Sequence, residues 1–103
     1  MKRSWYWLLF STRGSKTRMR IIEGLRENPS NVNQLAGALS MDYKSISHHI
    51  NILMENGLIT QAKPGYGAVY FLSDEMEAEY SHFEEQFPLA EKSKKKVKGG
   101  VGA

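Results

Sequence analysis

A chain of 103 residues with no cysteine, 41% hydrophobic and 11% aromatic, has room for one domain with a modest core and excludes a disulfide framework or a cysteine-ligated metal site. Its formal charge of +3 conceals three unlike stretches: residues 1–73 carry nine Lys or Arg against four acids, residues 74–90 carry six acids and no base, and residues 91–103 carry five Lys and one Glu. The basic front attracts polyanions, whereas the acidic stretch is expected away from any bound duplex, facing a partner subunit or solvent.

The first apolar feature, Trp5-Tyr6-Trp7-Leu8-Leu9-Phe10, is far shorter than the roughly 20 residues that cross a bilayer. It lacks a cleavage signature as well, so neither a membrane span nor a secretion signal is expected. The missing cysteines agree with a reducing cytoplasm, the expected compartment. Ser15 or Thr17 can cap a first helix whose apolar stripe is Met19, Ile21, Ile22 and Leu25, and Asn28-Pro29 ends it because the residue before proline avoids the α region. Arg13, Lys16, Arg18 and Arg20 surround the start of that helix, either as clamps on a phosphate backbone or as a solvated set. Arg13 and Lys16 are the favoured clamps, since a helix N-terminus points its N–H groups at phosphates.

Val32, Leu35, Ala36 and Leu39 fall at i, i+3, i+4 and i+7 of a second helix. Asn31 is its expected cap, with Gln34 reaching back as in a capping box. Ser40 and Met41 form the turn, Met41 plugging the angle between helices, and Asp42 caps a third helix over 43–55. At about 100° per residue, Ile46, Ile50 and Leu53 share one side of this helix while Lys44, Ser47, His48, Asn51 and Glu55 gather on the other. The free side is rich in short donors rather than long paired charges: Lys44 suits a phosphate or guanine, Asn51 suits adenine, and Ser47 and His48 suit base edges or backbone. His49 sits at the flank of the buried stripe and is expected to pack and hydrogen-bond to the hairpin that follows.

Gly57 reads as an αL terminator. Residues 58–63 then read as a strand, Pro64-Gly65-Tyr66-Gly67 as a turn and residues 68–72 as the returning strand. Lys63 and Tyr66 at the tip could lie along a sugar-phosphate wall. The expected fold is mainly α with a small β-hairpin, an α+β arrangement carrying an extra N-terminal apolar segment and a C-terminal helix.

Over residues 13–73 the chain resembles the archaeal winged helix-turn-helix regulators related to the ArsR group. The segments that carry the resemblance are Thr17-Arg18-Met19-Arg20-Ile21-Ile22, Asn33-Gln34-Leu35-Ala36, residues 42–50 from Asp42 to Ile50, and Gly65-Tyr66-Gly67-Ala68-Val69-Tyr70. The resemblance implies that the helix over 43–55 enters the major groove, that the hairpin over 59–72 is a wing on flanking backbone or minor groove, and that the protein is a dimer. Tyr43, Lys44, Ser45, Ser47, His48 and Asn51 are then the reading candidates, with Arg13, Lys16, Lys63 and Tyr66 on the backbone. Metal-sensing relatives use cysteine thiolates near the reading helix, and this chain has none. His82 with Glu85 is the sole pair resembling the other kind of sensor site, and one such pair more often decorates a polar surface.

The acidic stretch has its own helical stripe, Met76, Tyr80, Phe83 and Phe87, with Ser73 as cap and Asp74, Glu75 and Glu77 placed favourably in the first turn. This helix packs either on its own domain or, with the N-terminal run, against a second chain. The dimer is the favoured reading, with contact segments 4–12 and 74–88 and Trp5, Trp7, Leu8, Met76, Tyr80, Phe83 and Phe87 as contact residues. One domain therefore spans 1–90, and the Lys- and Gly-rich tail 91–103 is expected to be disordered.

No enzyme is expected. Ser47 and His48 diverge by about 100° on a helix and cannot pair as nucleophile and base, and no phosphate-cradling Gly loop, metal set or paired carboxylate frame is present. No cofactor and no small-molecule or metal effector is indicated. The expected function is a sequence-specific, homodimeric, double-stranded-DNA-binding transcription regulator; the alternative is a winged-helix module that holds a protein partner in a larger assembly.

Overall fold

The apolar run at the N-terminus is helical, and one of its turns is widened. In the computed structural model, which describes residues 2–65 and 67–81, α1 (Arg3–Tyr6) passes directly into a π-helical turn at Trp7–Ser11. The Thr12 N–H donates to the Trp7 carbonyl at 3.0 Å, five residues back rather than four. Trp5 and Leu9, four apart, point inward and are fully buried, while Tyr6 and Trp7 remain 46% and 54% exposed. The buried indole satisfies its polar edge by donating Nε1–H to the Asn56 carbonyl at 2.7 Å.

Helix α2 (Ser15–Glu27) buries Ile21, Ile22 and Leu25 and stops at an extended Asn28 before Pro29, as its sequence predicts. Its start differs from expectation, because neither Ser15 nor Thr17 caps it. The chain turns at Gly14 in the left-handed region, φ 83°, without a side-chain cap, and Ser15 is already helical. Helix α3 (Val32–Leu39) has both halves of the capping box: the Gln34 N–H donates to Asn31 Oδ1 and the Asn31 N–H to Gln34 Oε1, each at 2.8 Å. Ser40, φ 55°, closes α3, and Met41 tucks partly buried against the core. Helix α4 (Tyr43–Glu55) has the expected bounds. It ends in paired bonds from Gly57 N–H to the Met54 carbonyl and from Leu58 N–H to the Leu53 carbonyl, an arrangement that Gly57 permits at φ 79°.

Strands β1 (Ile59–Gln61) and β2 (Tyr70–Leu72) pair antiparallel, with Ile59 opposite Leu72 and Gln61 opposite Tyr70. Both are shorter than the expected 58–63 and 68–72. On its other edge β2 meets the α2–α3 connection, where Ser30 and Tyr70 exchange two backbone hydrogen bonds of 3.1 and 2.8 Å. Ser73 then caps helical residues 74–81, here α5: its hydroxyl donates to the Gly57 carbonyl at 2.7 Å and accepts from the Met76 N–H at 3.1 Å.

One core joins Trp5 and Leu9, the buried faces of α2, α3 and α4, Leu58, Ile59 and Leu72 of the hairpin, and Met76 of α5. Glu75 and Glu77 pair with Lys2 and Arg26 of the same chain at 3.3 Å, and Arg26 also lies over the Tyr80 ring at 5.1 Å. The described part of the acidic helix is therefore turned toward bases of its own domain, although such half-exposed pairs stabilise by only about 0–1 kcal/mol. Among the described residues no helix is long and apolar enough to cross a membrane.

Candidate nucleic-acid interface

Helix α4 is anchored at its start by Asp42, whose carboxylate accepts from the Ser45 hydroxyl at 2.8 Å and from the Ser45 N–H at 3.2 Å. The Ser45 hydroxyl, followed by its backbone N–H, holds the Asp42 carboxyl below its usual range, so a negative group sits at the positive end of the helix dipole. Ile46, Ile50 and Leu53 fix the rotation of the helix by entering the core. That rotation leaves Lys44, His48, Asn51 and Glu55 exposed, with Tyr43 at 41% exposure on the first turn and Ser47 half-buried between them. Among the described residues none covers the polar flank, and Ser45 spends its hydroxyl proton on the cap.

The flanking candidates divide. Arg13 and Lys16 are exposed at the start of α2, and Lys63 is exposed where the hairpin leaves β1. Tyr66 lies outside the described residues, as do Phe83, Phe87, the His82 and Glu85 pair and the tail. Arg13 and His48 share the rim of an open cleft of about 570 Å³, floored by Leu8, Arg18 and His49. Of the residues expected at a subunit contact, Trp5 and Met76 are instead fully buried in the chain's own core, because the helices place them on the inward stripe. Trp7 is exposed, and Leu8 and Tyr80 are half-buried against that core.

Arg18 is not a clamp. Only 3% exposed, it donates from Nε to the Leu8 carbonyl at 2.8 Å, and from Nη2 to Thr12 Oγ1 at 2.6 Å and the Arg13 carbonyl at 2.9 Å. Its Nη1 lies 3.2 Å from His49 Nδ1. The π-helical register makes the first bond available: Thr12 N–H is drawn to the Trp7 carbonyl, leaving the Leu8 carbonyl to the guanidinium. Among the described residues the partner of His49 is therefore Arg18 rather than the hairpin. Burial first, then the Arg18 charge and then His48, pushes the His49 pKa down, and an Arg18 Nη1–H that donates to Nδ1 pairs with the neutral tautomer protonated on Nε2. A signal for Arg18 was present in the sequence, since it precedes Ile22 and Leu25 by four and seven residues and so sits on the apolar stripe itself. Among the described residues no group of three or more metal-ligating side chains occurs.

Residues 15–61 match the family described as bacterial regulatory protein, arsR family. The chain is 34% identical over 68 residues to the uncharacterized HTH-type transcriptional regulator MJ1325 of Methanocaldococcus jannaschii, covering 65% of this chain and 76% of that protein. It is 34% identical over 58 residues to the HTH-type transcriptional regulator NmtR of Mycobacterium tuberculosis, covering 56% of this chain and about half, 48%, of that protein. Among solved structures, HlyU from Vibrio cholerae superposes with TM-score 0.64 at 22% identity over 84% of this chain and 98% of that chain. The homodimeric winged helix-turn-helix DNA-binding domain of Mb0332 from Mycobacterium bovis superposes with TM-score 0.52 at 20% identity, over 76% and 67% of the two chains. These likenesses identify the fold as a winged helix, in which α3 and α4 are the helix-turn-helix and β1 and β2 the wing. The extent of the identity to the Methanocaldococcus regulator, together with the match across α2 to β1, shows that the chain belongs to the ArsR family of helix-turn-helix transcriptional regulators.

Proposed function

We propose that this chain is a sequence-specific regulator that binds double-stranded DNA as a homodimer in the cytoplasm, with α4 in the major groove and the hairpin 59–72 as wing. The observation that carries the reading is the exposure of Lys44, His48 and Asn51 on a helix whose opposite stripe is locked in the core. Tyr43, Lys44, Ser47, His48 and Asn51 read base edges; Arg13, Lys16, Lys63 and Tyr66 hold backbone. Trp7 and Leu8, with Tyr80, Phe83 and Phe87, supply the subunit contact. The exposed Tyr6 and Trp7 rings support that assignment, as does the homodimeric state of the Mycobacterium bovis domain. Affiliation with archaeal members belongs to the same reading and rests on the Methanocaldococcus similarity. Two reading helices related by a dyad imply a near-palindromic site with half-sites about one helical turn, roughly 34–36 Å, apart.

Selection of bound fragments from random duplexes, followed by gel shift at two salt concentrations, tests the proposal. An enriched palindromic motif is expected. Asn51→Ala should cost about 1–3 kcal/mol on that motif and little on random duplex, and equal losses on both would remove Asn51 from the readers. Absence of retardation even at low salt would favour the protein-partner module instead.

A further inference from the structure

Arg18 and His49 are conspicuous because neither is placed among the proposed DNA contacts, and Arg18 is buried while His49 is half-buried. Arg18 lies on α2, His49 lies on α4 next to His48, and the remaining bonds of Arg18 go to Leu8, Thr12 and Arg13 in the N-terminal segment. One guanidinium therefore joins three parts of the chain: the segment bearing the exposed aromatics, the first helix, and the helix proposed to read DNA. The local backbone is shaped for this junction. Gly14 takes the left-handed conformation at φ 83°, and a Cβ there would meet His49 Cε1 at 2.7 Å and Arg18 Nη1 at 3.0 Å. Only a glycine lets the two side chains approach beneath the turn.

We propose that Arg18 is a positioning residue: through His49 it seats the reading helix against the N-terminal segment, so that base readout depends on a contact that touches no DNA. The inference rests on the DNA-binding reading above for its consequence, but not for the junction itself. The contact is also intrinsically proton-sensitive. At 3.2 Å from a guanidinium N–H donor, His49 Nδ1 must offer a lone pair, and a proton on that nitrogen sets two donors and two positive charges face to face. The charged groups around His49 do not relieve this. Arg18 comes from α2, Arg13 from the connecting turn, and His48 from α4 with its ring centroid 5.4 Å away. None of the described residues lining the cleft is acidic. Protonation of His49 therefore releases Arg18 from α4 and loosens the segment that Arg18 holds.

The test uses the full chain with His49→Asn, His49→Leu and Arg18→Met. Asparagine retains an acceptor near the Nδ1 position and does not titrate, whereas leucine removes the acceptor. The readout is the ratio of affinities for the selected site and for random duplex between pH 5 and 8, compared between the parent and His49→Asn, which differ only at position 49. The parent ratio should fall on acidification, His49→Asn should keep the neutral-pH ratio at every pH, and His49→Leu should lower it roughly two- to thirtyfold while remaining folded by circular dichroism. A folded His49→Leu or Arg18→Met with an unchanged ratio overturns the proposal, since a purely structural role would lower the melting point and leave discrimination alone. An NMR titration decides the junction without DNA. Protonation of the His49 ring should shift the amides of Leu8 and Thr12 to Gly14 together with those of α4, and that coupling should vanish in Arg18→Met. If residues 8–14 ignore the titration the positioning role is wrong; if the parent binds no duplex while the coupling persists, the DNA reading falls and the junction stands.

Discussion

Trp5 separates two accounts of the N-terminal aromatics, because a ring held by its own domain and a ring held by a second subunit respond differently to truncation. Its indole has no solvent exposure and donates to the Asn56 carbonyl at 2.7 Å, at the C-cap of α4. Trp5→Ala empties a fully enclosed site, a loss of about 3–5 kcal/mol. Trp5→Phe keeps most of the packing but strips the donor from a part-buried carbonyl, a loss of about 1–2 kcal/mol. In a domain of this size each kcal/mol lowers the melting midpoint by about 4–8 °C. Phenylalanine should therefore cost roughly 4–16 °C and alanine at least roughly 12 °C, a large part of a total stability of about 5–15 kcal/mol. Thermal unfolding followed by circular dichroism, at protein concentrations about fiftyfold apart, measures the effect, with light scattering reporting the mass. The structure requires the same depression at both concentrations and no change in mass at low temperature. Variants that regain the parent midpoint when concentrated, or whose mass halves with little loss of midpoint, would refute the assignment of Trp5 to its own core.

Asn31→Ala removes one side of the reciprocal cap on α3 and should destabilise the chain by about 1 kcal/mol, read as a shift of about 4–8 °C in the midpoint with the wing and α4 otherwise intact by NMR. Asp42 has a folded pKa below its ordinary 3.8, so its contribution is complete above that value and is lost as pH falls through the folded one. Asp42→Asn keeps the capping geometry, and acid unfolding curves should show a shallower pH dependence below about 4 than the parent. Lys63→Ala should weaken binding to specific and random duplexes alike and reduce the slope of log affinity against log salt by about 1, as gel shifts across a salt series would report.

The helical half of the fold was legible because its signals are local. The Asn31 and Gln34 cap, the Asp42 cap, the stripe of Ile46, Ile50 and Leu53 and the stop at Gly57 each depend on neighbours within a turn, and all appear where the sequence puts them. The strands were overdrawn because their ends depend on partners. Beyond Gln61 and before Tyr70 the chain enters a tip containing Gly65 at φ 122° and Gly67 at φ 80°, where regular pairing stops. Ser30, the second partner of Tyr70, is forty residues away in sequence, and no local pattern announces it. The N-terminal run was misassigned in part for a similar reason: its hydrophobicity is plain, but which face is covered depends on where α1 lies, and Trp5 and Trp7 went opposite ways. The exposed side of α4 was legible from its angular distribution alone. Arg18 was passed over because a basic residue near a helix start suggests solvent or phosphate, and the carbonyl that holds its Nε comes from a widened turn ten residues earlier.

That widened turn bears on how the family diverges. A π-helical turn holds one residue more than the α-helical turn it replaces, so losing a single residue from the 8–11 stretch would restore ordinary helix geometry and return the Leu8 carbonyl to the backbone. The guanidinium at position 18 would then lose the acceptor that holds its Nε. In aligned relatives, the inserted residue and the basic side chain should accordingly appear and disappear as a pair, with a neutral residue at the equivalent of 18 wherever the gap occurs.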